Sequence, residues 1–234
     1  MLISGSPSTT ELLDFTSNSN CEVPFETFAN GIGGQLEGKI IICSKYNWSC
    51  NITPLDNLQI TSNVGPIKNG EQKHLSSAIA TIIDIGTAKN SGLWIANPTK
   101  SYPPDIITST EIIQTSELDK NMKYAGGCVL KINSTTIMVI GGNLGYKKYA
   151  RKDTWFGHYN EDPWKWTQGP DLLLGRYNQG CALLTMKSVD YIVVVGGNYK
   201  FGQYGPLTTV AVEWMETTST SWSKGIIWKR NVLR

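Results

Sequence analysis

The chain has 234 residues, a formal net charge of +2 and 40% hydrophobic residues, with eight Trp and ten Tyr. A charge that small gives no strong long-range field, which excludes bulk attraction to nucleic acid or to an anionic lipid surface. No apolar run approaches the roughly 20 residues of a membrane span, so no membrane insertion is expected. The opening MLISGSPSTT lacks the basic start and apolar stretch of a signal peptide, an absence that says nothing if the chain is a piece of a longer one.

Taken in chain order, the segments read as short strands bounded by turn residues. LISGS (2–6) and TTELLDF (9–15) form a first pair of strands, with Ser4-Gly5 at the turn. The run at 40–46, three Ile and then Cys43, ends in Ser44-Lys45. LWIANP (93–98) ends in Asn97-Pro98, and STEIIQ (109–114) is read as the strand after it. The last two repeats are the clearest: TIMVIGGN ends in Gly141-Gly142 and YIVVVGGN in Gly196-Gly197. A β-branched and aliphatic run ending in Gly-Gly is a buried strand entering a turn, because Gly takes φ > 0 without a Cβ clash.

The surroundings of the two Gly pairs repeat as well. YAGGCVLKIN (124–133) aligns with YNQGCALLTM (177–186), each with a Tyr, a Gly and then Cys128 or Cys181. Downstream, TWFGHYN (154–160) and WKWTQGPDLLLGR (164–176) answer to VAVEWME (210–216) and SWSKG (221–225). Self-similarity with a period near fifty residues indicates stacked four-stranded blades, since one blade cannot bury both of its faces alone. At these residues the chain resembles the kelch-repeat family, whose blades carry a Gly pair after the second strand, an aromatic on the third and Trp on the fourth. Trp166 and Trp222 occupy that fourth-strand position. The family's Gly-Pro-x-Leu-x-x-x-Arg link between blades corresponds to Gly169, Pro170, Leu172 and Arg176.

The resemblance implies an all-β fold, a β-propeller of four-stranded kelch-type blades in a single domain, residues 1–234. The approximate repeats are 1–27, 28–70, 71–121, 122–175 and 176–234. Met1 falls inside a second strand and Arg234 where Arg176 falls in the preceding repeat. The chain is thus about nineteen strands, one short of five blades, and the ring reads as incomplete, either a fragment or a ring closed by other means. An open arc exposes sheet faces and edges, an association hazard.

Cys43 and Cys50 flank a hairpin, where cross-strand Cβ atoms come near disulfide distance, and together with Cys21 they resemble the Cys-rich kelch repeats of some secreted proteins. Cys128 and Cys181 read as inert buried thiols on first strands. Localisation is open, with extracellular slightly ahead of cytoplasmic. Seventeen Asn in a chain rich in Ser and Thr yield about three Asn-x-Ser/Thr triplets by chance, so the sequons at Asn47, Asn51 and Asn133 carry no weight as sequence alone.

For chemistry, there are two His, His74 and His158, at different strand levels, and no zinc, nucleophile-elbow or phosphate-loop motif. A galactose oxidase-like copper site needs two His together, and the Ser-x-Asp-x-Gly box of sialidases is missing. No catalytic residue, cofactor or metal is therefore expected, and the function is read as non-catalytic protein binding through propeller-face loops. The alternatives are the propeller part of an oxidase or glycosidase whose catalytic residues lie outside this chain, or the substrate-recognition part of a ubiquitin-ligase adaptor.

Two loops are the candidate surface. The first, 143–153, carries Tyr146, Lys147, Lys148, Tyr149, Arg151 and Lys152; the second, 198–206, carries Tyr199, Lys200, Phe201 and Tyr204. Equivalent places in adjacent repeats set them side by side, and basic residues interleaved with Tyr suit an acidic segment of another protein. Trp155, Trp164, Trp166, Trp214 and Trp222 are read as packing between blades, and Glu11, Glu111 and Glu213 as solvating third strands.

Overall fold

The computed structural model describes residues 2–4, 10–14, 19–22, 32–36, 39–43, 50–54, 62–64, 79–85, 90–96, 103–108, 111–119, 122, 126–143, 150–202 and 205–225. Every regular element among them is a β-strand, and no helix there is long and apolar enough to cross a membrane. The chain divides into two compact units, residues 1–97 with 102–115, and residues 98–101 with 116–234.

In the first unit, β1 (Leu2–Ser4), β2 (Thr10–Asp14) and β3 (Ser19–Glu22) form a three-stranded antiparallel meander. A four-stranded meander follows, β4 (Ile32–Leu36), β5 (Lys39–Cys43), β6 (Cys50–Pro54) and β7 (Ser62–Val64). A second runs through β8 (Ile79–Ile85), β9 (Asn90–Ala96), β10 (Asp105–Ile107) and β11 (Ile112–Gln114). Alternation along β5 and β6 turns Ile41, Cys43, Cys50 and Ile52 to one face, where they pack on Leu93, Ile95 and Ile107. The first strands of these two sheets, β4 and β8, adjoin.

One strand assignment from the sequence is corrected here. Residues 109–114 do not supply the third strand of their sheet. That strand is β10, with Ile106 opposite Trp94, and Ile112–Gln114 is the fourth. A three-residue strand directly after Pro103-Pro104 is too short to show a period of two, so the longer Ile-Ile-Gln run took its place in the reading.

The second unit repeats the meander twice. Its first sheet is β12 (Cys128–Asn133), β13 (Thr136–Ile140), β14 (Thr154–His158) and β15 (Lys165–Gln168). Its second sheet begins with β16 (Gly180–Met186) and β17 (Val189–Val195). A separate ribbon, β18 (Asn198–Gly202) paired with β19 (Gly205–Thr208), comes next, before β20 (Val212–Glu216) and β21 (Ser223–Lys224) complete the second sheet. Met138 and Ile140 of the first sheet pack against Ile192, Val194 and Met215 of the second, and Leu172 of the link is buried with them. Trp222 completes that cluster and donates its indole N–H to Pro170 O at 2.9 Å.

Two further sequence readings give way. Cys128 and Cys181 are not inert thiols: β12 and β16 lie side by side, and the two residues form a disulfide with Cα atoms 6.2 Å apart. Glu213 does not solvate its strand. It is 2% exposed and forms an ion pair with Arg176, which is fully buried. In the first unit Cys43 and Cys50 face each other across β5 and β6 and are joined by a disulfide.

Candidate functional site

The candidate surface starts at the two Gly pairs. φ is +58° and +118° at Gly141 and Gly142, and +67° and +89° at Gly196 and Gly197, so both residues of each pair take a positive φ that Gly adopts without a Cβ penalty. One short segment, Arg176–Gln179, runs between the pairs and touches both. Gly142 N–H donates to Arg176 O at 2.8 Å, and Gln179 Nε2 donates to Ile140 O at 2.7 Å. On the other side, Tyr177 and Asn198 exchange both backbone hydrogen bonds, at 2.9 and 2.8 Å. A Cβ on Gly141 would lie 2.6 Å from Arg176 O, and one on Gly197 would lie 2.8 Å from Tyr177 O. Close approach of three backbones is thus what the Gly pairs permit, and it starts the two following loops from a single support.

Each loop departs differently. In the first, Asn143 bridges to Ala150 and Arg151 N–H donates to Gly142 O at 2.8 Å, so the loop returns to its starting point. In the second, what reads as a loop in the sequence is the β18–β19 ribbon, whose two strands are paired backbone to backbone. Tyr146, Lys147, Lys148, Tyr149 and Tyr204 lie outside the described residues. Phe201 sits on β18 opposite Pro206.

The described side chains sort into two groups. Lys152, Tyr199 and Lys200 are exposed. Arg151 is held by Asp153, with Nε and Nη2 at 3.1 and 2.5 Å from Asp153 Oδ2. A carboxylate at that distance neutralises much of the guanidinium's field, so Arg151 offers an external acid less than the lysines do. Four apolar residues that the sequence reading passed over stand exposed on β17, on the ribbon, just after it and on the link: Val195, Leu207, Val210 and Leu173, with Val210 69% exposed. Val195 ends β17, Leu207 lies on β19, and Val210 lies between β19 and β20. Leu173 is tied to β20 by a bond from its N–H to Glu213 Oε2 at 2.6 Å. The signal was present in LTTVAVEW (207–214), whose apolar residues outnumber what one buried face needs.

The Trp residues also divide. Trp166 covers Gly157, where a Cβ would lie 2.5 Å from the ring, and Trp214 meets Tyr191 edge-on at 5.6 Å. Trp164 stacks at the sheet's outer edge, 5.6 Å from Tyr159 and 6.1 Å from Trp166. His158 lies on β14 with its ring nitrogens 3.4 Å from the hydroxyls of Thr136 and Thr167, while His74 lies outside the described residues. Glu111, exposed, precedes β11.

No protein-family model matches the chain, and no curated protein sequence does. Solved structures do. YjhT aligns with a TM-score of 0.61 and 9% identity over 94% of this chain and 78% of its own. The N-terminal domain of Nup159 aligns with a TM-score of 0.49 and 10% identity over 99% of this chain and 65% of its own. With its all-β meanders and its likeness to YjhT, the chain has a β-propeller-type fold.

Proposed function

We propose that this chain is a kelch-type propeller module without catalytic chemistry of its own, and that the face built on the two Gly pairs binds an acidic segment of another protein. The observation that supports the reading most directly is the shared support. Arg176–Gln179 touches both Gly pairs, so the segments that follow them start from one support, the first carrying exposed Lys152 and the second exposed Tyr199, Lys200, Leu207 and Val210. Exposed apolar residues and a Tyr on segments that also carry exposed basic side chains have the composition of an interface with an apolar centre and a charged rim. Lys147, Lys148 and Tyr149 of the first loop add to the same character in the sequence.

The reading is tested with a partner captured by the intact chain and then measured quantitatively. Replacing Tyr199 and Leu207 with Ala removes two central contacts and is expected to weaken binding by about 2 kcal/mol or more, roughly thirtyfold. Lys152→Glu with Lys200→Glu is expected to slow association and to flatten its salt dependence, as rim charges do. Unchanged affinity in both variants, with the fold intact by circular dichroism, would defeat the proposal.

A further inference from the structure

The structure separates two of the three sequons, those at Asn51 and Asn133, that the sequence cannot rank. We propose that Asn133 is an N-linked glycosylation site. Asn133 closes the β12–β13 hairpin, paired with Thr136 across a two-residue turn of Ser134 and Thr135. Asn133 and Ser134 are both exposed. The acceptor triplet is Asn-Ser-Thr, with no Pro inside it or after it.

Its local geometry suits the chemistry. Thr135 donates twice to Asn133 Oδ1, from its backbone N–H at 2.9 Å and from its hydroxyl at 3.1 Å. The hydroxyl on which the Asn-x-Ser/Thr pattern depends is therefore already at the carboxamide. Both bonds engage the oxygen and neither uses the amide nitrogen, the atom to be modified. Tyr159 holds the turn from its own strand end, donating its N–H to Thr135 O at 2.9 Å and its hydroxyl to Asn133 O at 3.3 Å. Those contacts fix the backbone of the turn and spend no part of the Asn133 side chain.

Asn51 offers the contrast. It is the second residue of β6, half-buried and paired with Ile42 on β5 and Asn63 on β7, next to Cys50 of a disulfide. The rest of its triplet, Ile52 and Thr53, is 1% and 2% exposed. A glycan there would have to emerge through a paired central strand. Asn47 lies outside the described residues.

A second, independent observation concerns the compartment. Two disulfides, Cys43–Cys50 and Cys128–Cys181, are formed, one in each unit. Paired cysteines of this kind persist in the oxidising secretory route, which is also where Asn-x-Ser/Thr acceptors are used. The donor is an oligosaccharide held through its anomeric carbon on a lipid diphosphate. The anomeric C–O bond breaks and its electron pair leaves with the lipid diphosphate. A C–N bond forms to Asn133 Nδ2, which loses one proton to solvent, and nothing is oxidised or reduced.

The test uses the full chain purified from its own cells after alkylation of free thiols. Peptide N-glycosidase in heavy-oxygen water converts a glycosylated Asn to labelled Asp, read by mass spectrometry of the peptide that contains residue 133. The expected result is labelled Asp at 133 in the same sample that yields the linked Cys128 and Cys181 peptides. Recovery of residue 133 as unmodified Asn would overturn the proposal. In the same cells Thr135→Ala is expected to abolish the gel-mobility step that the enzyme removes, and Thr135→Ser to retain it, which separates loss of the acceptor from loss of the fold. A step that persists in Thr135→Ala would place the glycan elsewhere and overturn the assignment.

Discussion

Arg176, on the link between the two sheets of the second unit, forms a fully buried ion pair with Glu213 on β20. Every part of the pair has further partners. Arg176 Nη1 donates to Gly196 O at 3.0 Å and to Ala211 O at 2.8 Å, and Nε donates to Leu174 O at 3.4 Å. Glu213 accepts the N–H of Leu173 at 2.6 Å and of Leu174 at 3.1 Å. One guanidinium and one carboxylate thus fasten the link to the second sheet and satisfy backbone groups that the turns leave over, including the carbonyl of Gly196. A buried charge pair is costly to form unless it is satisfied in this way.

Removing one partner strands the other. Arg176→Met or Glu213→Leu alone is expected to destabilise the second unit by about 3–5 kcal/mol. The double variant is expected to cost clearly less than the sum of the singles, although it leaves the Leu173 and Leu174 amides without an acceptor. Urea denaturation followed by Trp fluorescence measures the coupling. Additive single and double effects would mean that the two side chains act separately.

What could be read from the sequence follows from how local each cause is. The Gly pairs and the fourth-strand Trp residues announce themselves because a turn conformation or a covered Gly writes its demand on one or two adjacent residues. The role of Glu213 is not written that way. Its alternation along β20 fits either a solvated or a buried acid, and only the return of Arg176 from far along the chain decides between them. Pairing of Cys128 with Cys181 depends on two first strands lying side by side, which neither strand's pattern encodes. The β18–β19 ribbon was hidden because two Gly, a Pro and a run of Tyr and Lys read as a loop, whereas its backbone pairing needs no hydrophobic period.

The Gly positions differ in what surrounds them, so their substitutions should differ. At Gly196, with φ +67°, an added Cβ meets nothing nearer than Thr209 O at 3.5 Å. Gly196→Ala is expected to cost only the left-handed penalty, about 1–2 kcal/mol. At Gly197 the Cβ would also meet Tyr177 O at 2.8 Å and Gln179 Cβ at 2.9 Å. Gly197→Ala is expected to cost about 3 kcal/mol or more, because backbone must move. Equal costs at the two positions in chemical denaturation would contradict the close approach of Arg176–Gln179.

The β16–β17 hairpin offers a gain. Met186 pairs with Val189, and the two turn residues between them, Lys187 and Ser188, have φ of +51° and +64°. Both central residues on the positive side is the type I′ pattern, which favours Asn-Gly over Lys-Ser. Lys187→Asn with Ser188→Gly relieves that strain at exposed positions and is expected to stabilise the second unit by roughly 1 kcal/mol. A lowered denaturation midpoint in the double variant would show that Lys187 or Ser188 makes a contact worth more than the strain.

The same hairpin carries several exposed apolar residues. Ile192 and Val194 of β17 are fully buried against the first sheet, so the alternate residues Tyr191, Val193 and Val195 take the opposite face of the strand. Their neighbours across the ladder are Leu184 opposite Tyr191 and Ala182 opposite Val193, with Met186 opposite Val189 at the turn. Leu184 is 44% exposed and Met186 52%. Side by side, these make an apolar patch on a strand pair rather than scattered surface residues, and such patches drive association. The chain is therefore expected to self-associate with rising concentration in sedimentation equilibrium. Leu184→Lys with Met186→Lys is expected to shift the balance to monomer while changing unfolding free energy by no more than about 0.5 kcal/mol per site, as for other exposed positions. A wild-type chain that stays monomeric throughout the concentration range, or a Lys variant that associates as strongly, would show that this face is not what brings copies together.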